Sequence, residues 1–175
     1  METFQASARR KAANIRLLLL DVDGVLTDGR IIIDDRGNET KQFHVRDGQG
    51  IALLKHCGID VGFISGRRSD VVRHRAKDLS VSLVVQGVQD KLLAYGRIKR
   101  KTQLADEQIA YVGDDIIDLP VLRAVGLAVT VSDGWAELKP YVDYVTLAPG
   151  GMGAVREVAE LLLKAQKRWA ALLPH

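Results

Sequence analysis

Residues 17–29 read Leu17-Leu18-Leu19-Leu20-Asp21-Val22-Asp23-Gly24-Val25-Leu26-Thr27-Asp28-Gly29, and this stretch decides the fold. Leu17–Leu20 is a continuous apolar run stopped by Asp21, which fits a strand buried on both faces. Runs of the same kind recur at Val61–Ile64, Ser82–Val85, Ile109–Val112, Leu127–Val131 and Tyr141–Val145. Candidate helices lie between and after them, near 48–57, 68–79, 89–101, 116–124 and 152–169. In the last, Val155, Val158, Leu162, Ala165 and Trp169 form an amphipathic stripe. Such alternation predicts an α/β fold, a parallel sheet with helices on both faces.

One segment breaks the alternation. Arg30–Asp34 and Lys41–Val45 are β-rich, and Asp35, Arg36, Gly37 and Asn38 between them are turn formers. This predicts a β-hairpin over residues 30–45, projecting after the first strand. Ile31, Ile32 and Ile33 run consecutively, so both hairpin faces carry isoleucine, and a second subunit is the candidate cover. The 175 residues suit one domain, with residues 1–14 as an N-terminal extension and 152–175 as a C-terminal helix and tail. Apolar content of 47% and charged content of 27% speak against wholesale disorder. A net charge of +3 permits an anionic small substrate but is too weak to argue for nucleic acid, and 5% aromatics speak against a base-stacking surface. A single cysteine, Cys57, excludes an internal disulfide or a Cys-rich zinc site and reads as a small buried residue. The run Ile15–Leu20, interrupted by Arg16, is too short for a membrane span or a signal segment, so the chain reads as cytoplasmic.

The chemistry starts at Asp21 and Asp23. They fall where the first strand ends, and in an open parallel sheet ligands bind beyond the carboxyl ends of strands. Gly24 frees the backbone to turn there. Two carboxylates so close repel unless a cation or a shared proton relieves them. Taken alone, the pair reads equally well as an acidic turn. A second cluster, Tyr111-Val112-Gly113-Asp114-Asp115-Ile116-Ile117-Asp118, follows another apolar strand and tips the balance. Asp114 and Asp115 meet the first pair if the two strands are neighbours, while Asp118 better suits a supporting or capping place. Oxygen donors without His or Cys suit a hard ion, Mg2+ rather than Zn2+. Ile64-Ser65-Gly66-Arg67 ends a strand and opens a helix, so the Ser65 hydroxyl and nearby N–H groups can hold an anion; alone, Ser65 is an ordinary N-cap. Lys91 begins a helix, where the dipole disfavours a cation unless an anion is close; alone, it is a surface lysine. Gly150, Gly151 and Gly153 precede the last helix, where they could bind phosphate, and read better as a hinge for it.

Taken in order, Asp21-x-Asp23 with Asp28, then Ser65, then Lys91, then Gly113-Asp114-Asp115-x-x-Asp118 resemble the four motifs of the haloacid dehalogenase-like phosphatases. The resemblance implies a Rossmann-like sheet and Mg2+ held by Asp21, the Asp23 carbonyl and Asp114, with Asp115 and Asp118 behind them. It implies Asp21 as the nucleophile that forms an aspartyl-phosphate, and Asp23 as general acid and then base. Ser65, Gly66 and Lys91 then bind the phosphoryl group. The gap from Asp23 to Ser65 holds only the hairpin and one helix, and that from Ser65 to Lys91 only one helix and one strand, so the chain resembles the capless members. Within these, Leu26–Gly29 with the hairpin, Phe43–Ile51, Ile64–Arg67, Gln86-Gly87 and Ala148–Glu157 resemble the family that dephosphorylates 3-deoxy-D-manno-octulosonate 8-phosphate, a lipopolysaccharide precursor. That resemblance runs from Leu17 to Leu163. It implies a sugar-phosphate substrate and a homotetramer in which a neighbour helps close each site. His44, Val45, Arg46, Asp47, Gly48, Arg67 and Arg75 become the candidates for the sugar acid, since an Arg fork matches a carboxylate. Ala52 departs from the pattern, standing where members often carry Arg.

Rival readings differ in order or chemistry. Sister enzymes acting on nine-carbon sialic-acid-type phosphates share most of the pattern; Arg46-Asp47-Gly48 and Arg67 favour the eight-carbon ester. A signalling receiver domain places its phosphoacceptor Asp after a middle strand, where this chain has Ser65. A non-catalytic binding subunit would have no use for a full set of buried carboxylates, which are expensive.

Overall fold

Leu17–Leu20 form β1 at the centre of the sheet, and all four side chains are buried. Leu18 and Leu20 enter one apolar cluster, Leu17 and Leu19 the other, as expected of a strand covered on both faces. The structure, a computed structural model, describes residues 4–173. After β1 come a hairpin of β2 (Ile32–Ile33) and β3 (Glu39–Thr40), then β4 (Asp60–Ser65), β5 (Leu83–Gln86), β6 (Ile109–Gly113), β7 (Leu127–Thr130) and β8 (Tyr144–Val145). The main sheet runs β5-β4-β1-β6-β7-β8, every pairing parallel. Its winding reverses between β1 and β6, so the crevice at their carboxyl ends is where such a sheet binds ligands.

The helices are α1 (Phe4–Ala12), α2 (Val45–His56), α3 (Asp70–Asp78), α4 (Lys91–Thr102), α5 (Leu119–Leu122) and α6 (Ala154–Ala165). Ala8 and Ala12 of α1, Ile51 and Leu54 of α2, Val72 of α3 and Val155, Val158 and Leu162 of α6 share one core. Tyr95 and Ile98 of α4 and Val121 and Leu122 of α5 fill the other. No cap domain stands among the described residues, and no helix there is long and apolar enough to cross a membrane.

Several expectations need correction. The second hairpin arm is Glu39–Thr40, not Lys41–Val45, because His44 N-caps α2, its Nδ1 accepting from the Arg46 N–H at 3.3 Å. The turn itself is as read: Asp34 accepts from the N–H groups of Arg36 and Asn38. Ile31 and Ile33 stand 58% and 59% exposed, and among the described residues nothing covers them. The stretch read as an extension over 1–14 holds α1, whose buried face is alanine; residues 1–3, like 174–175 at the tail, lie outside the described residues. The strand expected over Tyr141–Val145 shrinks to β8, since residues 136–141 form a 3-10 turn containing Pro140. Most of the helix expected near 116–124 divides into a 3-10 turn at Ile116–Asp118 and the short α5. The helix expected to reach 169 ends at Ala165; Lys167 is left-handed, and Trp169 stacks between Arg156 and Lys164, each 5.2 Å from its ring centre. Cys57 ends α2 half-buried, its carbonyl held by Arg168.

Candidate active site

The sheet register determines which residues meet. Leu20 of β1 pairs with Val112 of β6 and Phe63 of β4, so Asp21, Gly113–Asp114 and Ser65 emerge on one edge. Asp21, Asp114 and Ser65 line a pocket of about 180 Å3, together with Asp23, Gly66, Arg67, Lys91, Asp115 and Ile117. Gly24 stands at φ +92°, and a Cβ there would come 2.0 Å from Oδ2 of Asp114, so glycine admits both the turn and the carboxylate.

Oxygens of Asp21, Asp114 and Asp118 lie within 4.8 Å of one another. Lys91, its side chain 1% exposed, places Nζ 2.9 Å from Oδ1 of Asp21 and 2.6 Å from Oδ1 of Asp118. These carboxylates are the anions that offset its place at a helix N-terminus. Asp118 accepts four bonds: Oδ1 from Lys91 Nζ and from the Tyr111 hydroxyl at 2.5 Å, Oδ2 from the N–H groups of Asp114 and Asp115 at 3.1 and 3.2 Å. Its lone pairs are thereby spent within the protein, and it holds the turn that presents Asp114. A hard cation would face Asp21 and Asp114. Electrostatics argue the same way. Burial raises the Asp21 carboxyl to about 6, Lys91 offsetting only part of it. Burial, then the charges of Asp21 and Asp118, raise Asp114 to about 8. For Lys91, burial works against the charged form but the two carboxylates outweigh it, and its pKa is raised. Three carboxylates around one ammonium are short of positive charge, and an all-oxygen donor set fits Mg2+.

Other candidates fall around or away from this pocket. Ser65 is buried, and its Oγ accepts from the Arg67 N–H at 3.2 Å. The helix it was expected to open begins only at Asp70, so any anion there meets the Ser65–Arg67 loop rather than a helix N-terminus. Arg67 lines the pocket and holds Glu39 at 2.7 Å. Asp115 lines it exposed, and its Oδ1 accepts from the Ile116 N–H. Arg46 and Val45 are exposed in the first turn of α2, where His44 is the cap. Asp47 points to α6 instead, accepting from the N–H groups of Gly153 at 3.2 Å and Arg156 at 2.8 Å. Gly48 makes room for Arg75, whose Nη2 lies 2.4 Å from where a Cβ would stand. Arg75 lies over Phe43 in a separate open hollow of about 380 Å3, with Val45, Val71, His74 and Asp78. The glycines read as a hinge are a seat: a Cβ on Gly150 would come 1.8 Å from the Gly24 carbonyl oxygen, and Gly151 N–H donates to Val25 O at 2.9 Å.

Sequence reasoning missed Lys41. It is the residue that reaches Oδ1 of Asp23, and Glu39 lies 3.2 Å behind its ammonium. Only the fold of the hairpin brings it there, and nothing in its local sequence marks it.

Comparison with known proteins agrees with this geometry. A family model described as haloacid dehalogenase-like hydrolase matches residues 74–155. The 3-deoxy-D-manno-octulosonate 8-phosphate phosphatase KdsC of Yersinia pestis is 49% identical over 159 residues, 91% of this chain and 85% of its own. That of Escherichia coli K12 is 50% identical over 156 residues, 89% and 83% of the two chains. Among solved structures, the Moraxella catarrhalis phosphatase in complex with magnesium, phosphate and KDO superposes with a TM-score of 0.92 at 44% identity, covering 94% of each chain. The Yersinia pestis crystal structure gives 0.93 at 45% identity, over 97% of this chain and 94% of that one. The fold and the carboxylate pocket thus define a capless haloacid dehalogenase-like hydrolase. Within that class, the chain belongs to the 3-deoxy-D-manno-octulosonate 8-phosphate phosphatases.

Proposed function

We propose that this chain hydrolyses 3-deoxy-D-manno-octulosonate 8-phosphate to the free sugar acid and phosphate, with Mg2+, as a step toward lipopolysaccharide. The observation that carries the chemistry is the meeting of Asp21, Asp114 and Asp118 around Lys91 beside Ser65. The relatives supply the sugar: those of Yersinia pestis and Escherichia coli K12 are named as phosphatases of the eight-carbon ester, which favours it over the nine-carbon alternative. Bound by Asp21, Asp114 and the Asp23 carbonyl, Mg2+ would supply the charge that lets one anion approach another.

In this reading an Asp21 oxygen attacks phosphorus as the ester P–O bond breaks, and Asp23 gives its proton to the departing sugar alkoxide. Water then attacks the phosphoryl group, its proton passing to Asp23 as the Asp21–phosphorus bond breaks. Ser65, the Gly66 backbone and Lys91 stand where they offset charge on the phosphoryl oxygens. Arg67 is the sugar-acid candidate at the pocket in this chain. Arg46 and Arg75 stand outside it, and in the homotetramer proposed here a second copy would be what brings them to a substrate. A charged sugar ester as substrate and an unpaired, half-buried Cys57 suit the cytoplasm.

Phosphate release from the sugar ester tests the reading. Activity should stop in excess EDTA and return with Mg2+. Asp21→Asn should lose more than about 10^4-fold in kcat while keeping its circular dichroism and melting temperature. Turnover in EDTA, or by the folded variant, counts against it.

A further inference from the structure

Among the described residues two lysines are buried, Lys41 and the pocket's Lys91, each with its side chain 1% exposed. Burying an ammonium is costly unless it is paired, and Lys41 is paired twice, to Oδ1 of Asp23 and to Oε1 of Glu39. Glu39 in turn holds Arg67. The result is a line of alternating charge, Asp23–Lys41–Glu39–Arg67, running from the turn after β1, across the end of the hairpin, to the loop after β4. Both ends of the line are pocket residues.

Asp23 needs such a contact. Its side chain is 21% exposed on a turn, less enclosed than that of Asp21 at 7%. Proton transfer requires the carboxyl within hydrogen-bond reach of the leaving oxygen, and a misplacement of about 1 Å costs roughly 100-fold. Lys41 takes Oδ1, which leaves Oδ2 for the pocket. Lys91 serves Asp21 from the other side, so each of the two acidic side chains has its own ammonium.

We propose that Lys41 is a positioning residue for Asp23, fixing the general acid–base against the leaving group and tying its placement to the hairpin. The proposal rests on the phosphatase reading. It separates Lys41 from a simple hairpin fastener, because a misplaced acid matters only where the leaving group needs a proton. A sugar alkoxide does; p-nitrophenolate does not.

The test compares wild type with Lys41→Met, which keeps the stem and drops the charge, and with Lys41→Gln should the first not fold. Two rates are read with Mg2+: steady-state phosphate release from 3-deoxy-D-manno-octulosonate 8-phosphate, and single-turnover p-nitrophenolate release from p-nitrophenyl phosphate with enzyme in excess, which reports only transfer to Asp21. Sugar-phosphate turnover should fall about 100-fold while p-nitrophenolate release stays within about 3-fold of wild type. Equal loss on both esters, or loss on neither, overturns the positioning role while leaving the phosphatase intact. If the wild-type protein releases phosphate from neither ester, the phosphatase reading fails and the proposal with it.

Discussion

Asp21 and Asp114 keep their protons in the folded chain at a pH where an unfolded chain would have shed them. Their carboxyls are raised from 3.8 to about 6 and about 8. Between those values the folded state binds more protons than the unfolded one, so stability falls as pH rises from about 4 through about 8. A cation displaces those protons and removes the penalty. In chelator, the melting temperature should drop by at least about 5 °C between about pH 5 and about pH 8, on roughly 2–4 °C per kcal/mol. With Mg2+ in excess that slope should flatten, and equal slopes would contradict the cation account. The two carboxylates were legible because each follows an apolar run at a strand end. Lys41 was not, since its partner lies 18 residues away and the hairpin alone closes the distance. Ser65 was legible as a residue of the strand-end pocket but not in its setting, because the loop Gly66–Ser69 delays α3.

At the scale of elements, α2 and α6 are fastened by one side chain. Asp47, buried in the first turn of α2, takes the N–H groups of Gly153 and Arg156 that α6 leaves unpaired. Burial raises its carboxyl, and those backbone bonds work the other way. Asp47→Ala should therefore cost about 1–2 kcal/mol, or about 3–6 °C of melting temperature, with kcat preserved below the melt. Lost turnover at an unchanged melting temperature would return Asp47 to the substrate. The sequence marks Asp47 only by its neighbours Arg46 and Gly48, which draw it toward ligand binding. Its real acceptor role spans more than 100 residues and becomes visible only once α2 lies on α6. The amphipathic stripe of α6 was readable directly; α1 was not, because alanines at Ala8 and Ala12 give too faint a stripe.

For the whole molecule, the hairpin is the feature left open. Ile31, Ile32 and Ile33 stand 58%, 41% and 59% exposed, an apolar edge that a closed assembly would bury. The homotetramer proposed above should appear by light scattering, and Ile31→Lys with Ile33→Lys should break it into smaller species and lower sugar-phosphate turnover. A variant that keeps both assembly and activity would refute the hairpin's part in it. The central position of β1 has a different consequence. Leu17–Leu20 find their partners far along the chain, in β4 at Asp60–Ser65 and β6 at Ile109–Gly113. Four leucines thus stay unpaired on one side until β6 is available, and parallel pairing across such separations is slow. The segment that organises the finished sheet is therefore also an aggregation hazard while the chain folds, and one a chaperone has reason to hold.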